Sequence, residues 1–223
     1  MTTSKPPTTR PSFNAPAREV LARVVPGPLL RILAHEGRVM ESLIRWVARR
    51  PHGVDGADAV FTHGRDQALT MYGCAFACIV ETVAVSCLLS DRPVIHSILL
   101  VVDVYTVLFV FGMQAATVTR PHVLAEGTLR VRQAANVDIH VPIEHIAAVR
   151  REALFTHEKT DGQLNLPIAS QTSITLELTT PVNAPKFFGT PRLVNVIRLH
   201  ADDPEALHDA VVQARTRGTP ASA

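Results

Sequence analysis

Two apolar runs, Ala68 to Leu89 and Val94 to Ala116, stand back to back in the middle of the chain, separated only by Ser90-Asp91-Arg92-Pro93. Each is close to the ~20 residues a helix needs to cross a bilayer. Together they predict a transmembrane helical hairpin over residues 67–117. Ahead of it, residues 17–50 read as helix with a break at Pro26-Gly27-Pro28, and Pro28 suits a first helical turn. Leu30, Leu33, Met40, Ile44 and Val47 recur at helical spacing, while Arg31, Arg38 and Arg45 recur every seven residues on an adjacent stripe. That stripe is too charged for a span. It fits an amphipathic helix lying on the membrane, Arg towards lipid phosphates and Trp46 near the headgroups, or else a helix packed on a soluble domain. Residues 51–66 are turn-rich and read as a linker.

After about Thr119 the period changes from helical to alternating. Leu129 and Val131 alternate with Arg130 and Arg132; Val137, Ile139 and Val141 with Asp138 and His140; Ile174, Leu176 and Leu178 with Thr175 and Glu177. Leu193 to Leu199 is a further β-branched run. These predict half-buried strands, parted by Glu126-Gly127, Asp161-Gly162 and Gly189-Thr190-Pro191. Pro142 ends one strand, and the segment after it reads as a helical turn or a short strand. Asp203-Pro204-Glu205 then opens a last helix, with Asp203 as N-cap and Leu207, Ala210, Val211 and Ala214 as its buried stripe. The predicted fold class is an α+β membrane protein: a transmembrane hairpin, then a small antiparallel β domain over 119–217 closed by a C-terminal helix. Residues 1–16 and 218–223 read as disordered tails.

Charge changes the picture mainly by its placement. The net charge of +2 is too small to argue for nucleic acid. Arg45, Arg49, Arg50 and Arg65 precede the first span, and Arg120, Arg130 and Arg132 follow the second. The turn between them has Arg92 offset by Asp91. Positive-inside bias then expects both termini in the cytoplasm and the turn outside, in the plasma membrane. The Pro- and Thr-rich start has no apolar core of a signal peptide. All three cysteines, Cys74, Cys78 and Cys87, fall in the first run, so no disulfide framework is expected.

The segment VTRPHVLAEGTLRVRQAANVDIHVPIEHIAAVRRE following a helical hairpin resembles bacterial membrane proteins that carry a PH-like domain directly after two spans. The pattern rests on Leu129, Val131, Arg132, Val137, Ile139, Val141, Pro142, Ile146 and Val149. Arg120-Pro121-His122 and the DDPEAL before the last helix are similar to a group of uncharacterised actinobacterial membrane proteins, over roughly residues 60–215. The resemblance implies a PH-like fold and no assigned reaction. One departure is Gln133-Ala134-Ala135 where a Gly usually follows the "L-x-V-R" strand, which suggests a longer or looser first hairpin.

The candidate chemistry lies inside the spans. Glu81 and Asp103 are equidistant from the turn, roughly ten residues or about 15 Å away, near the bilayer midplane. Two charged carboxylates are not tolerated there, so at least one is expected to be neutral. Cys78 and Thr106 share another level, and His96 lies near the turn, giving a polar seam of Glu81, Asp103, Cys78, Thr106 and His96. Such acids serve a proton or ion path, or simply hydrogen-bond the helices together. Arg31, Arg38, Arg45, Arg49, Arg50, Arg130 and Arg132 are candidates for contact with anionic lipid. No catalytic signature, metal site or cofactor motif stands out, and residues 120–217 carry 11 basic and 11 acidic side chains, against a strongly basic headgroup site. The functional expectation is a membrane-anchored interaction or scaffold protein, its partners the lipid bilayer and a second copy or a cytoplasmic protein. The alternatives are a proton-linked channel or transporter subunit using Glu81 and Asp103, and a membrane enzyme acting on a lipidic substrate.

Overall fold

A computed structural model describes residues 27–185 and 190–218. The expected tail 1–16, residues 17–26, Gly189 of one turn and residues 219–223 lie outside the described residues. The chain is an α+β protein with two apolar helices, two small sheets that are antiparallel apart from one strand pair, and a C-terminal helix.

Helix α1 spans Gly27–Val47, with Pro28 in its first turn. Strand β1 (Ala59–Phe61) follows, then helix α2 (Arg65–Leu88) and helix α3 (Pro93–Thr119). Helix α2 starts three residues before its apolar run and ends one short of it, and α3 extends past its run at both ends. Pro93 opens α3, where its missing N–H has no intrahelical partner to lose. The most apolar window of each is almost bare, 6 % buried in α2 and none in α3, unlike the core helix of a soluble protein.

The sequence-based linker requires correction. Its residues Ala59–Phe61 form a strand paired antiparallel with β2 (His122–Ala125), and Arg65 and Asp66 belong to α2. β2 in turn pairs with β3 (Thr128–Gln133), and β3 with β4 (Val137–Pro142). Glu126 and Gly127 both have positive φ, 48° and 70°, in the two-residue connection that matches the twist of a hairpin. A 3-10 turn at Ile143–His145 leads into β5 (Ile146–Leu154), so the segment after Pro142 is both a helical turn and a strand. The second sheet has the order β5-β7-β8-β6, with β6 at Gln163–Leu166, β7 at Thr172–Ala184 and β8 at Arg192–Leu199; β6 runs parallel to β8.

The alternating residues supply one core. Leu129, Val131, Ile139 and Val141 of the first sheet share it with Ile174, Leu176, Ile197 and Leu199 of the second. Helix α4 (Pro204–Gly218) closes it with Leu207 and Val211, both fully buried, and with Ala210 and Ala214 beside them. Asp203 caps this helix as expected: the Ala206 amide donates to its Oδ1 at 3.0 Å.

The β3–β4 hairpin is tight, contrary to the looser loop that the missing glycine suggested. Gln133 pairs with Val137 across three residues, and Ala134 takes φ of 46°. A left-handed conformation costs a non-glycine residue roughly 1–2 kcal/mol. The compensation is packing. Ala134 and Ala135 are buried in a small cluster with Val39 of α1 and Ala116 of α3, so their methyl groups seat the domain against the helices.

Candidate functional site

Polar groups gather at two levels along the helices, and the first is in the apolar zone. Cys78 has Cys74 and Glu81 near it on its own helix and Asp103 of α3 within electrostatic reach. Asp103 is half-buried and Glu81 is exposed. Thr106 is exposed and donates to the Val102 carbonyl of its own helix at 2.9 Å, so its hydroxyl hydrogen is used within α3. His96 is half-buried near the turn.

Sequence reasoning missed the third member of this level, because it placed α1 elsewhere. Helix α1 docks along α3 for much of its length and touches the β domain where Val39 meets Ala134 and Ala135. Glu36 accepts a 2.6 Å hydrogen bond from the Tyr105 hydroxyl, two residues from Asp103. Val39 and Met40 close over Gly112, where an added Cβ would sit only 2.6 Å from Val39 Cγ1. Further along, Arg120 donates to Ser42 Oγ at 3.3 Å. The pairs Glu36–Tyr105, Val39–Gly112 and Ser42–Arg120 advance together, so α1 and α3 run in the same direction. Gly112 is the local signal for this docking: it is the one residue of α3 small enough to let a β-branched neighbour touch the backbone.

The second level is the junction between helices and domain, built around three buried histidines. His63, His122 and His200 are 1 %, 2 % and 3 % exposed, although they come from three distant segments. The His63 and His122 rings stack with centroids 4.4 Å apart. The Arg132 amide donates to His122 Nδ1 at 3.1 Å, which makes Nδ1 an acceptor and leaves the proton on Nε2, facing the His200 carbonyl at 3.0 Å. The bond accepted from Arg132 requires the neutral ring, whereas either protonation state can donate to the His200 carbonyl. Burial, the largest cause, together with the nearby Arg132 and His200 charges outweighs the bond to the His200 carbonyl and brings the His122 pKa down to about 4. Burial likewise holds His63 well below the usual histidine range, helped by His122 and His200. His200 Nε2 lies 3.3 Å from Asp66 Oδ2, and the Arg65 amide donates to Asp202 Oδ1 at 3.0 Å, so the base of α2 is clamped to the end of β8. Of this junction, the sequence reading touched only His122, as part of the Arg120-Pro121-His122 motif.

Arg132 needs correction as a lipid-contact candidate. It is 1 % exposed and donates through both terminal nitrogens, to the His52 carbonyl at 2.6 Å and the Gly53 carbonyl at 2.8 Å. Those bonds strap the α1–β1 connection over the outer face of β3. Arg130 is committed to Asp138, its Nε at 2.7 Å, which ties β3 to β4 and leaves little for a lipid.

The remaining candidates lie along α1 and just beyond its end. Arg31 and Arg38 are exposed on α1, and Arg45 is bonded to Glu41 one turn earlier at 2.9 Å. Arg49 and Arg50 are exposed just beyond the end of α1. With Arg45, Trp46, Val47 and Val118 they border a cavity of about 480 Å³ where α1 and α3 end together.

Comparison with known proteins found no matching family model, no matching curated protein and no matching solved structure.

Proposed function

We propose that the chain is a plasma-membrane protein whose α2–α3 hairpin crosses the bilayer and carries a PH-like interaction or scaffold domain on the cytoplasmic side. The observation that supports this most directly is the bare apolar surface of two adjoining helices that lead straight into a well-packed α+β domain. Arg45, Arg49, Arg50, Arg65 and Arg120 gather at the domain end of the helices, whereas the turn carries Asp91 beside Arg92; that asymmetry favours a cytoplasmic domain. Two small sheets closed by a C-terminal helix are the architecture expected of a PH-like domain, and the Leu129–Val149 pattern is the reason to group the chain with uncharacterised actinobacterial membrane proteins. Strands β1, β4, β5 and β6 stand at the ends of the two sheets, and such an edge is a place where a partner strand can add.

Fractionation of cells tests this reading. The chain should sediment with membranes and need detergent for release. A cysteine placed at Ser90 in a variant lacking Cys74, Cys78 and Cys87 should react with an impermeant maleimide from outside, and one placed at Thr216 should not. Recovery of a monodisperse chain without detergent would end the proposal. A tag ahead of residue 27 reports the side of the N-terminus separately, which matters because α1 runs in the same direction as α3.

A second reading, a proton-linked channel or transporter subunit, draws on Glu36, Glu81 and Asp103 at one level of an apolar layer, with Glu81 exposed. An exposed carboxylate at that depth favours a second copy as its neighbour. Glu81→Gln and Asp103→Asn variants should abolish proton flux in liposomes under this reading and leave membrane assembly unchanged. Under the scaffold reading, partner capture by the full chain survives both changes.

A further inference from the structure

We propose that the cavity at the joint end of α1 and α3 is a binding site for the headgroup of an anionic phospholipid. The inference rests on the hairpin crossing the bilayer, which places this end at the cytoplasmic membrane interface.

The local backbone explains why three guanidinium groups converge there. Helix α1 stops with a Schellman arrangement: the Arg50 amide donates to the Arg45 carbonyl at 2.9 Å and the Arg49 amide to the Trp46 carbonyl at 3.0 Å. The left-handed residue at its centre, with φ of 53°, is Arg49, at a position that glycine fills most easily. The local fold therefore gains nothing from an arginine here, and an observed backbone outlier of this kind points to a use for the side chain. The two capping bonds also occupy carbonyls that would otherwise repel an anion at a helix C-terminus.

The charges are available. Arg45 spends its Nε and one terminal nitrogen on Glu41. Among the described residues, neither Arg49 nor Arg50 has an ion-pair partner. The rest of the rim is apolar or amphipathic. Val47 is 74 % exposed and Val118 39 % exposed, and the half-buried Trp46 lines the same cavity. A phosphate diester held by guanidinium groups, with acyl chains running over Val47 and Val118 and an indole at headgroup level, matches that division of surface. A free phosphate would use the cations and leave the exposed valines uncovered, so the lipid is the better occupant.

Full-length protein purified in a zwitterionic detergent, then offered phosphatidylglycerol or phosphatidylcholine in mixed micelles and read by native mass spectrometry, tests the site. Wild type should retain phosphatidylglycerol in preference to phosphatidylcholine. The double variant Arg49→Ala/Arg50→Ala should lose that preference by about tenfold or more, given two arginines at an anionic interface. The double variant Arg49→Lys/Arg50→Lys should keep most of it. Arg49→Gly separates binding from folding: it should raise thermal stability by relieving the left-handed strain, yet weaken lipid retention. Equal retention of the two lipids by wild type, unchanged preference in the alanine variant, or binding of inorganic phosphate without lipid would each overturn the inference. If the chain sediments with membranes and still shows no preference, this site fails alone; if it leaves the membrane without detergent, the hairpin reading fails first.

Discussion

Substituting Gly112 by alanine should loosen α1 from α3. The new methyl carbon would lie 2.6 Å from Val39 Cγ1, 3.4 Å from Met40 Cε and 3.4 Å from the Val39 carbonyl oxygen. Unbonded carbons prefer about 3.5–4.0 Å, so the helices must part by about 1 Å at the point of contact. Val39 cannot simply rotate away, because it is fully buried and β-branched side chains in helices hold one rotamer. A gap of that size forfeits a quarter to a half of the dispersion attraction across the contact, and overpacking of this kind costs about 1–3 kcal/mol. It also pulls Glu36 from the Tyr105 hydroxyl. Hydrogen–deuterium exchange of residues 27–47 in detergent is the assay. A loss of about 2 kcal/mol appears as roughly thirtyfold faster exchange in α1, with exchange in β7 and β8 unchanged. Val39→Ala alone should also weaken α1 by about 2 kcal/mol through a cavity. The double variant should recover part of the loss, since each change makes room for the other. If Gly112→Ala leaves α1 exchange unaltered, or the two losses simply add, the close approach of Val39 to Gly112 does not hold α1 in place.

Acidification should weaken the domain through His122. Its folded pKa of about 4 lies below the unfolded value near 6.5, so the unfolded chain binds the extra proton between those limits. Stability from this ring is therefore complete above pH 6.5 and falls by about 3 kcal/mol as the pH drops to about 4. Thermal unfolding in detergent across pH 4–8 should show that slope, and His63→Phe, which removes a second buried titrating ring, should flatten it. Arg132→Lys should cost about 2 kcal/mol, because an ammonium cannot fork to the two carbonyls of His52 and Gly53; limited proteolysis should then cut residues 50–57 sooner. Asp203→Ala should remove the cap on α4 and cost about 1 kcal/mol in thermal unfolding.

What the chain revealed before folding follows from how local each signal is. The hairpin, the alternating strands β3, β4, β7 and β8 and the capped last helix are written in spacing over a few residues, and each lies where its pattern put it. β1 escaped because Ala59–Phe61 is three residues long inside a turn-rich stretch, and only its pairing with His122–Leu124 makes it a strand. The docking of α1 escaped because the periodicity of a helix shows which face is apolar and leaves open what covers it. The histidine junction escaped for a related reason: His63, His122 and His200 are far apart in sequence, and their burial is created by the meeting of three segments. Arg132 sits on the polar side of a clean alternation, and only the strap of His52 and Gly53 turns that side into an interior. The equal distance of Glu81 and Asp103 from the turn is a matter of counting along the chain; the level of Glu36 is not, since it depends on the α1–α3 contact.

The pairing of β1 with β2 has a consequence for how the molecule is made and dissected. The apolar hairpin is an excursion inserted between two adjacent strands of one sheet. During synthesis, β1 emerges first and must wait for both apolar helices before its neighbour exists. The domain therefore cannot complete itself until the hairpin has turned and brought residue 122 back beside residue 61. A fragment beginning after α3 leaves β2 as a raw sheet edge and takes away Phe61 from the core. Conversely, a tilt or separation of α2 and α3 pulls on two hydrogen-bonded neighbours at once, so the sheet edge is mechanically coupled to the spacing of the helices. A partner study on this protein should keep β1 joined to β2, by the native hairpin or by a short soluble linker in its place.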